Sequence, residues 1–426
     1  MVLNSLIKKT LKLSSLSLFA NILGFLIPIY IAYVFKISKQ TDNFFFSYGI
    51  ITFGGIVFTG AIRSVIVPFL IERLKDNELF NVFVSTIFYY SVVSILVLSA
   101  IFFIIFFGVY YFLHKELFFY LAISVPIFFF TIQNALFYGV LNSKNLFYLA
   151  EMSPLSRAVI IYATIFFFQS SIGILSIILG YTLGEFAKFI HLLYVVKIRE
   201  KVNLSFKIRQ FSEIRGFLKG CTYQILSTAI SSASPLIDKV VASFLIVGSI
   251  SMLDYGDKLF MVFTVILNSF LVIILSKWSN DVINKKFDLK KMNTIIYIIM
   301  GITSVIVVVI YFLKGHIVGI LYPKIPKDRQ IIIAMILLLN VIGFIFYASS
   351  QIINRATIAF KATGILVKTA IVKSIVNVTL DVLFVLKFGI IGITVSTIFV
   401  NLIGFMINYW LFIRQSKTFG LSSSVA

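Results

Sequence analysis

Long apolar stretches alternate with short polar segments along almost the whole chain. A helix needs about 20 apolar residues to cross the hydrocarbon core of a bilayer. On that measure twelve helical spans are predicted, over 13–35, 44–70, 82–112, 117–141, 155–169, 172–196, 218–246, 251–275, 293–313, 331–354, 365–386 and 389–413. The fifth is short, and only Gln169, Ser170 and Ser171 part it from the sixth. A basic segment over 197–217 divides the spans into two groups of six. The expected fold is therefore all-α, a polytopic integral membrane protein of about twelve transmembrane helices in two six-helix lobes around a central cavity, the usual plan of secondary transporters. The N-lobe would cover 1–196, the C-lobe 218–414 and a cytoplasmic tail 415–426. Within the basic segment Leu204, Ile208, Phe211 and Leu218 recur at near-helical spacing opposite Lys201, Lys207, Arg209 and Arg215. That pattern suits an amphipathic helix on an anionic leaflet, and a solvated charged linker suits it equally.

Composition changes the picture little. The chain is 60% hydrophobic and 12% charged, against about 25% charged in soluble domains. Its 37 Lys and Arg outnumber 16 Asp and Glu, which in a soluble chain would suggest a nucleic-acid partner. Here most basic residues fall in every second loop, as the positive-inside rule requires when both termini are cytoplasmic. The excess is topogenic, and no nucleic acid is expected. The first apolar run is too long for a signal peptide and lacks a cleavage site, so it reads as a retained span. A single cysteine, Cys221, excludes an internal disulfide, and His114, His191 and His316 lie too far apart in the chain to suggest a metal site. There is no GxG, no GK dipeptide, no HExxH and no GxSxG, so neither a phosphate-binding loop for ATP nor a familiar hydrolase motif is present.

The candidate chemistry lies in ionisable residues inside the spans, each of which costs about 2.5–3.5 kcal/mol at a bilayer centre unless it faces protein or water. The richest stretch is the hairpin of spans seven and eight, with Asp238, Lys239, Asp254, Asp257 and Lys258. Span seven is longer than a perpendicular helix needs, and Pro235 supplies a cause for a bend. Ser227, Thr228, Ser231, Ser232 and Ser234 can satisfy the backbone groups a bend releases. Asp238 and Lys239 are adjacent, so on a helix they point about 100° apart and need different partners. A short turn at 248–251 would bring Lys239 within reach of Asp254 or Asp257. Elsewhere Arg63 lies inside span two, and Glu185 with Lys188, at i,i+3 in span six, would neutralise each other. Gly180 and Gly184 in the same helix imply close packing. Lys373 lies inside span eleven, and Asp381 falls near its outer end, where it would snorkel.

Two stretches resemble a known family. "TDNFFFSYGIITFGGIVFTGAIRSVIVPFL", from Thr41 to Leu70, is similar to the region after the first span in MviN/MurJ-type lipid II flippases, with its TDxFF entry and VPxL exit. "LIDKVVASFLIVGSISMLDYGDKL", from Leu236 to Leu259, resembles that family's seventh and eighth helices, and "GILYPK" from Gly319 follows more loosely. The family belongs to the multidrug/oligosaccharidyl-lipid/polysaccharide exporter superfamily, so the resemblance implies two six-helix lobes and a flippase of the bacterial inner membrane. It moves a polyprenyl-pyrophosphate-linked saccharide by alternating access without ATP. Asp42, Asp238, Asp257 and Lys258 match the family's acid and base positions. Where the family carries arginines in its first two helices this chain has Asn21, Ile27, Gly54 and Gly55, with Thr59 in place of an acid. Most of the family's N-lobe cationic site is thus absent, and a saccharide other than that of lipid II, such as an O-antigen or capsule unit, fits better.

The expected substrate-binding residues are Arg63, Lys239, Lys258 and Lys373. The expected gating or ion-coupling residues are Asp42, Glu185, Lys188, Asp238, Asp254 and Asp257. No cofactor or metal is expected, with coupling left to a proton or sodium gradient or to the membrane potential. The expected partners are the lipid-linked saccharide, the bilayer and other membrane proteins of polysaccharide assembly. Two rivals stand beside this reading: a cation-coupled exporter of drugs or small metabolites, and a membrane-embedded polysaccharide polymerase or glycosyltransferase.

Overall fold

The computed structural model describes residues 22–144, 146–204, 214–360, 362 and 364–416. Its helices are α1 (Ile22–Phe35), α2 (Lys39–Arg73), α3 (Asn77–Leu113), α4 (Glu116–Ser143), α5 (Phe147–Ile172) and α6 (Leu175–Tyr194), which runs on as a π-helical turn over Val195–Arg199. They continue as α7 (Arg215–Ser231), α8 (Ser234–Ala242), α9 (Ser249–Ile283), α10 (Leu289–Leu321), α11 (Lys327–Ala359), α12 (Gly364–Phe388) and α13 (Ile390–Ser416). No strand occurs among the described residues. Ten helices, α2–α6 and α9–α13, are long and apolar enough to cross a membrane, and α7 with α8 passes as one span bent by 46°. α1 is a shorter apolar helix. The start of the first expected span, the amphipathic pattern around Ile208 and Phe211, Lys361 and the last ten residues lie outside the described residues.

Local sequence explains where the helices begin and break. Ser38 caps α2 in a reciprocal box: its hydroxyl accepts from the Thr41 N–H at 3.2 Å, and the Thr41 hydroxyl accepts from the Ser38 N–H at 2.8 Å. Asp42 follows in the first turn, buried, where a carboxylate favours the positive end of the helix. Between α5 and α6 the chain turns at Gly173, whose φ of +56° suits glycine. This is later than the expected break at Gln169–Ser171, and α5 also starts earlier than the apolar run over 155–169. It extends to Phe147 because Pro154 and the polar Ser153, Ser156 and Arg157 are accommodated inside the helix.

The chain forms two compact units, Met1–Ser232 with α1–α7 and Ala233–Ala426 with α8–α13. The division falls at the α7–α8 bend, whereas the sequence reading begins the C-lobe at 218. Ile214, Phe217 and Cys221 are buried in the first unit's core with Ile66, Leu70 and Phe83, so α7 packs there. The helix breaks after Ser231, and Pro235 sits in the first turn of α8, where its missing N–H costs nothing. In the second unit Trp278, Phe287, Met292, Phe344, Ile352 and Phe412 share a core.

Apolar surface gains little by leaving lipid, so helix contacts in a membrane depend on close packing over small residues. A Cβ at Gly184 would stand 3.0 Å from the Arg157 carbonyl oxygen, and one at Gly180 would stand 3.3 Å from that of Ile161. α5 and α6 therefore touch backbone to backbone. Gly184→Leu is expected to push them apart and cost about 1–3 kcal/mol or more, read as a lowered thermal midpoint of the purified protein. Gly108→Leu, where a Cβ would meet nothing within 4 Å, should leave the midpoint unchanged.

Candidate functional site

In the second unit, α8 is short and carries its polar residues on two sides. Lys239 donates to Asp254 Oδ1 on α9 at 2.7 Å, an ion pair whose side chains are only 12% and 7% exposed. Asp238 turns the other way, to α12, where Asn377 Nδ2 donates to its Oδ1 at 2.9 Å. The same amide nitrogen donates to Asp381 Oδ2 at 2.9 Å, one helical turn further along. Ser234 Oγ donates to Asn377 Oδ1 at 2.9 Å and fixes the amide. Asn377 and Asp381 are fully buried, and Asp381 Oδ1 has no hydrogen-bond partner among the described residues. Among the described residues neither Asp238 nor Asp381 forms an ion pair with Lys or Arg. Two carboxylates thus meet at one amide.

Asp257, three residues after Asp254, accepts from Asn340 on α11 at 2.8 Å. The turn before α9 is set by Gly248, at φ +103°, and Ser249 and Ser251 after it are fully buried. Tyr255 packs on Tyr322 with ring centroids 5.2 Å apart, and the Tyr322 hydroxyl donates to the Tyr255 carbonyl at 3.1 Å. Burial first, and then the Asp254 carboxylate, push the Tyr322 phenol above its ordinary range, so it stays a donor. The stretch 236–259 and the more loosely similar 319–324 thus meet at these tyrosines.

In the first unit Glu185 on α6 is the centre of a second cluster. Arg157 Nε on α5 lies 2.6 Å from Glu185 Oε1, Asn134 Nδ2 on α4 donates to Oε2 at 2.8 Å, and Lys188 Nζ is 3.9 Å from Oε2. Arg157 also donates to the Tyr48 hydroxyl at 3.1 Å. The ring of Tyr138 on α4 has the Arg63 guanidinium 4.6 Å from its centroid and Lys188 Nζ 5.3 Å from it, both within the range of a cation–π contact.

These positions correct several expectations. Glu185 and Lys188 do not form a self-sufficient pair, because the nearer partner of Glu185 is Arg157. Asp381 does not snorkel; it is fully buried against Asn377. Arg63, expected to be buried, is exposed within its unit except where it meets Tyr138. Lys258 Nζ lies 3.7 Å from Met261 Sδ, and Lys373 Nζ donates to Asn401 Oδ1 at 3.2 Å while packing its stem against Gly404. Asp42 lies in the first turn of α2, beside the Ser38–Thr41 capping box. Sequence reading missed Arg157, Asn134, Tyr138, Asn340 and Asn377. The one available signal was the i,i+4 spacing of Asn377 and Asp381.

A polytopic helical membrane protein of two bundles, each holding ionisable groups inside its spans, is the class that this fold and these clusters define. Residues 31–425 match the family model described as Lipid II flippase MurJ, and the chain belongs to the MurJ family, whose members are transporters rather than enzymes. A lipid II flippase MurJ of Thermosipho africanus is 29% identical over 433 residues, covering 97% of this chain and 86% of its own. A probable lipid II flippase MurJ of Buchnera aphidicola is 26% identical over 347 residues, covering 75% of this chain and 66% of its own. A solved structure titled as lipid II flippase MurJ in an inward closed conformation superposes with a TM-score of 0.80 at 25% identity, over 96% of this chain and 88% of that one. An inward-facing MATE-family transporter of the MOP superfamily shares the fold, with a TM-score of 0.73 at 12% identity over 97% of this chain and 99% of that one.

Removing one partner of a buried ion pair costs about 3–5 kcal/mol because the other charge is left behind. Lys239→Ala is therefore expected to lower the thermal midpoint more than the double variant Lys239→Ala/Asp254→Ala. A double-variant loss equal to the sum of the two single losses would mean that the pair contributes no coupling.

Proposed function

We propose that this chain carries a polyprenyl-diphosphate-linked saccharide across the bacterial inner membrane by alternating access, with both termini cytoplasmic and without ATP hydrolysis. The observation that carries this reading is the family match over residues 31–425. Lipid II is the cargo that the relatives' names give. A second saccharide class, the O-antigen or capsule unit, is favoured by one observation, the glycines Gly54 and Gly55 where the family has paired arginines.

The driving ion is assigned to the Asp238–Asn377–Asp381 group. A proton or monovalent cation there lets the two carboxylates share one buried site, tying α8 to α12. Its departure leaves like charges face to face, so the two helices are held together only when the site is filled. Carboxylates of this kind inside spans serve as ion or proton sites in carriers. The Lys239–Asp254 pair keeps α8 attached to α9 in either state.

The reading is tested in cells whose own lipid II flippase can be switched off. Expression of this chain is expected to restore growth and the appearance of the labelled lipid-linked saccharide on the outer face. Asp238→Asn and Asp381→Asn, at normal membrane levels, should each reduce that transport about tenfold or more and remove its dependence on the sodium or proton gradient. Full gradient-dependent transport in both variants would sink the coupling assignment. Failure of the unaltered chain to move any polyprenyl-diphosphate saccharide would sink the function.

A further inference from the structure

One basic turn runs against the positive-inside rule. Between the apolar runs 293–313 and 331–354 the chain carries Lys314, Lys324, Lys327 and Arg329, with Asp328 as the one acid. With both termini cytoplasmic, this turn from α10 into α11 faces the outer side, where basic residues are disfavoured. Two of its lysines share a concave site. Lys314 on α10 and Lys327 on α11 line one cavity of about 280 Å³, together with Gly315, Gln330, Ile331 and Met335.

That cavity has a polar and an apolar half. Lys327, Gln330, Ile331 and Met335 recur at i, i+3, i+4 and i+8 on one face of α11, and Met335 lies about 12 Å along the helix from Lys327. Gln330 is fixed in place, since its Nε2 donates to the carbonyls of Tyr322 at 3.0 Å and Ile325 at 2.8 Å. Lys314 Nζ donates to the Tyr311 carbonyl at 3.2 Å and stands 4.2 Å from the centre of the Tyr311 ring. Among the described residues neither Lys314 nor Lys327 forms an ion pair with a carboxylate. Lys314 directly follows one apolar run and Lys327 shortly precedes the next. Both therefore flank the hydrocarbon boundary, where the phosphates of a leaflet lie, beside the exposed rings of Tyr311 and Phe312 that suit a membrane interface. Ile331, toward the hydrocarbon, is 69% exposed. A Cβ at Gly315 would meet nothing within 4 Å, so the glycine leaves that wall of the cavity open.

A soluble anion would use the lysines alone, and an uncharged lipid the apolar half alone. A phospholipid of net negative charge uses both, because an ammonium acts as a point charge toward phosphate and the chain below the phosphate needs an apolar wall. We propose that the α10–α11 end binds an anionic phospholipid of the outer leaflet, its phosphate between Lys314 and Lys327 and the start of an acyl chain over Ile331 and Met335. The leaflet, though not the site, rests on the proposed orientation with both termini cytoplasmic. The four basic residues of this turn then have a counter-charge on the side of the membrane where topology alone would not place them.

The test uses the full chain in phosphatidylcholine nanodiscs that contain a phosphatidylglycerol with a photoreactive diazirine early in one acyl chain. Cross-links mapped by peptide mass spectrometry are expected on Ile331 and Met335. The double variant Lys314→Gln/Lys327→Gln should lower that labelling about tenfold or more, and Gly315→Leu, which fills the cavity, should abolish it. Labelling elsewhere on the chain, and the thermal midpoint in phosphatidylcholine alone, should stay unchanged in both. Equal labelling by the matching phosphatidylcholine reagent, or undiminished labelling in both variants, would overturn the site. Loss of the labelling to an excess of glycerol phosphate would make it a site for a soluble anion and overturn the lipid assignment. The leaflet is read separately, from Lys324→Cys in spheroplasts, where the native Cys221 is buried. Reaction with a membrane-impermeant maleimide is expected; reaction only after permeabilisation would overturn the outer-leaflet placement together with the proposed orientation, whatever the cross-links show.

Discussion

Hydrocarbon offers no counter-charge and no water, so an ionised side chain inside a membrane span must face protein partners or a water-filled cavity. The placement of the polar residues in both units follows from that. In the second unit Lys239 closes on Asp254, Asn340 satisfies Asp257, and Asn377 holds Asp238 and Asp381 together. In the first, Glu185 gathers Arg157, Asn134 and Lys188. These contacts tie separate helices together, α8 to α12, α9 to α11, and α6 to α4 and α5. The same groups that make the buried charge tolerable therefore also set which helices move together.

The two units compensate their charge unequally. In the first, Glu185 pairs with Arg157 and Lys188, while in the second Asp238 and Asp381 share a site that no basic side chain among the described residues reaches. A carrier of an anionic lipid head group driven by a cation needs one site of each sign. Close helix packing over Gly180 and Gly184 supplies the rigidity on which such sites depend, because a long side chain holds its distance to a partner only if the backbones do not drift.

Much of this was legible from residue spacing. The apolar runs revealed the spans, Pro235 and the serines before it the bend, and the adjacency of Asp238 and Lys239 the need for two different partners. The TDxFF stretch turns out to be a helix start: Thr41 closes the capping box, Asp42 meets the helix N-terminus, and Phe44 and Phe45 are buried. What stayed hidden has a common cause. Sequence position measures depth along a helix more readily than rotation about it, so Asp381 looked able to reach the interface when it in fact faces Asn377. Arg157 stands near the start of the apolar run over 155–169, whereas α5 begins ten residues before it. Asparagines carry no formal charge and so escape a search for ionisable residues, yet Asn134, Asn340 and Asn377 organise the acids.

The most direct measurement is mass spectrometry of polyprenyl-linked lipids extracted from cells depleted of this protein, beside undepleted cells. Accumulation of one completed saccharide on a polyprenyl diphosphate is expected, and its mass would identify the cargo. An unchanged lipid pool, in cells that possess no second flippase for it, would contradict transport of a lipid-linked saccharide.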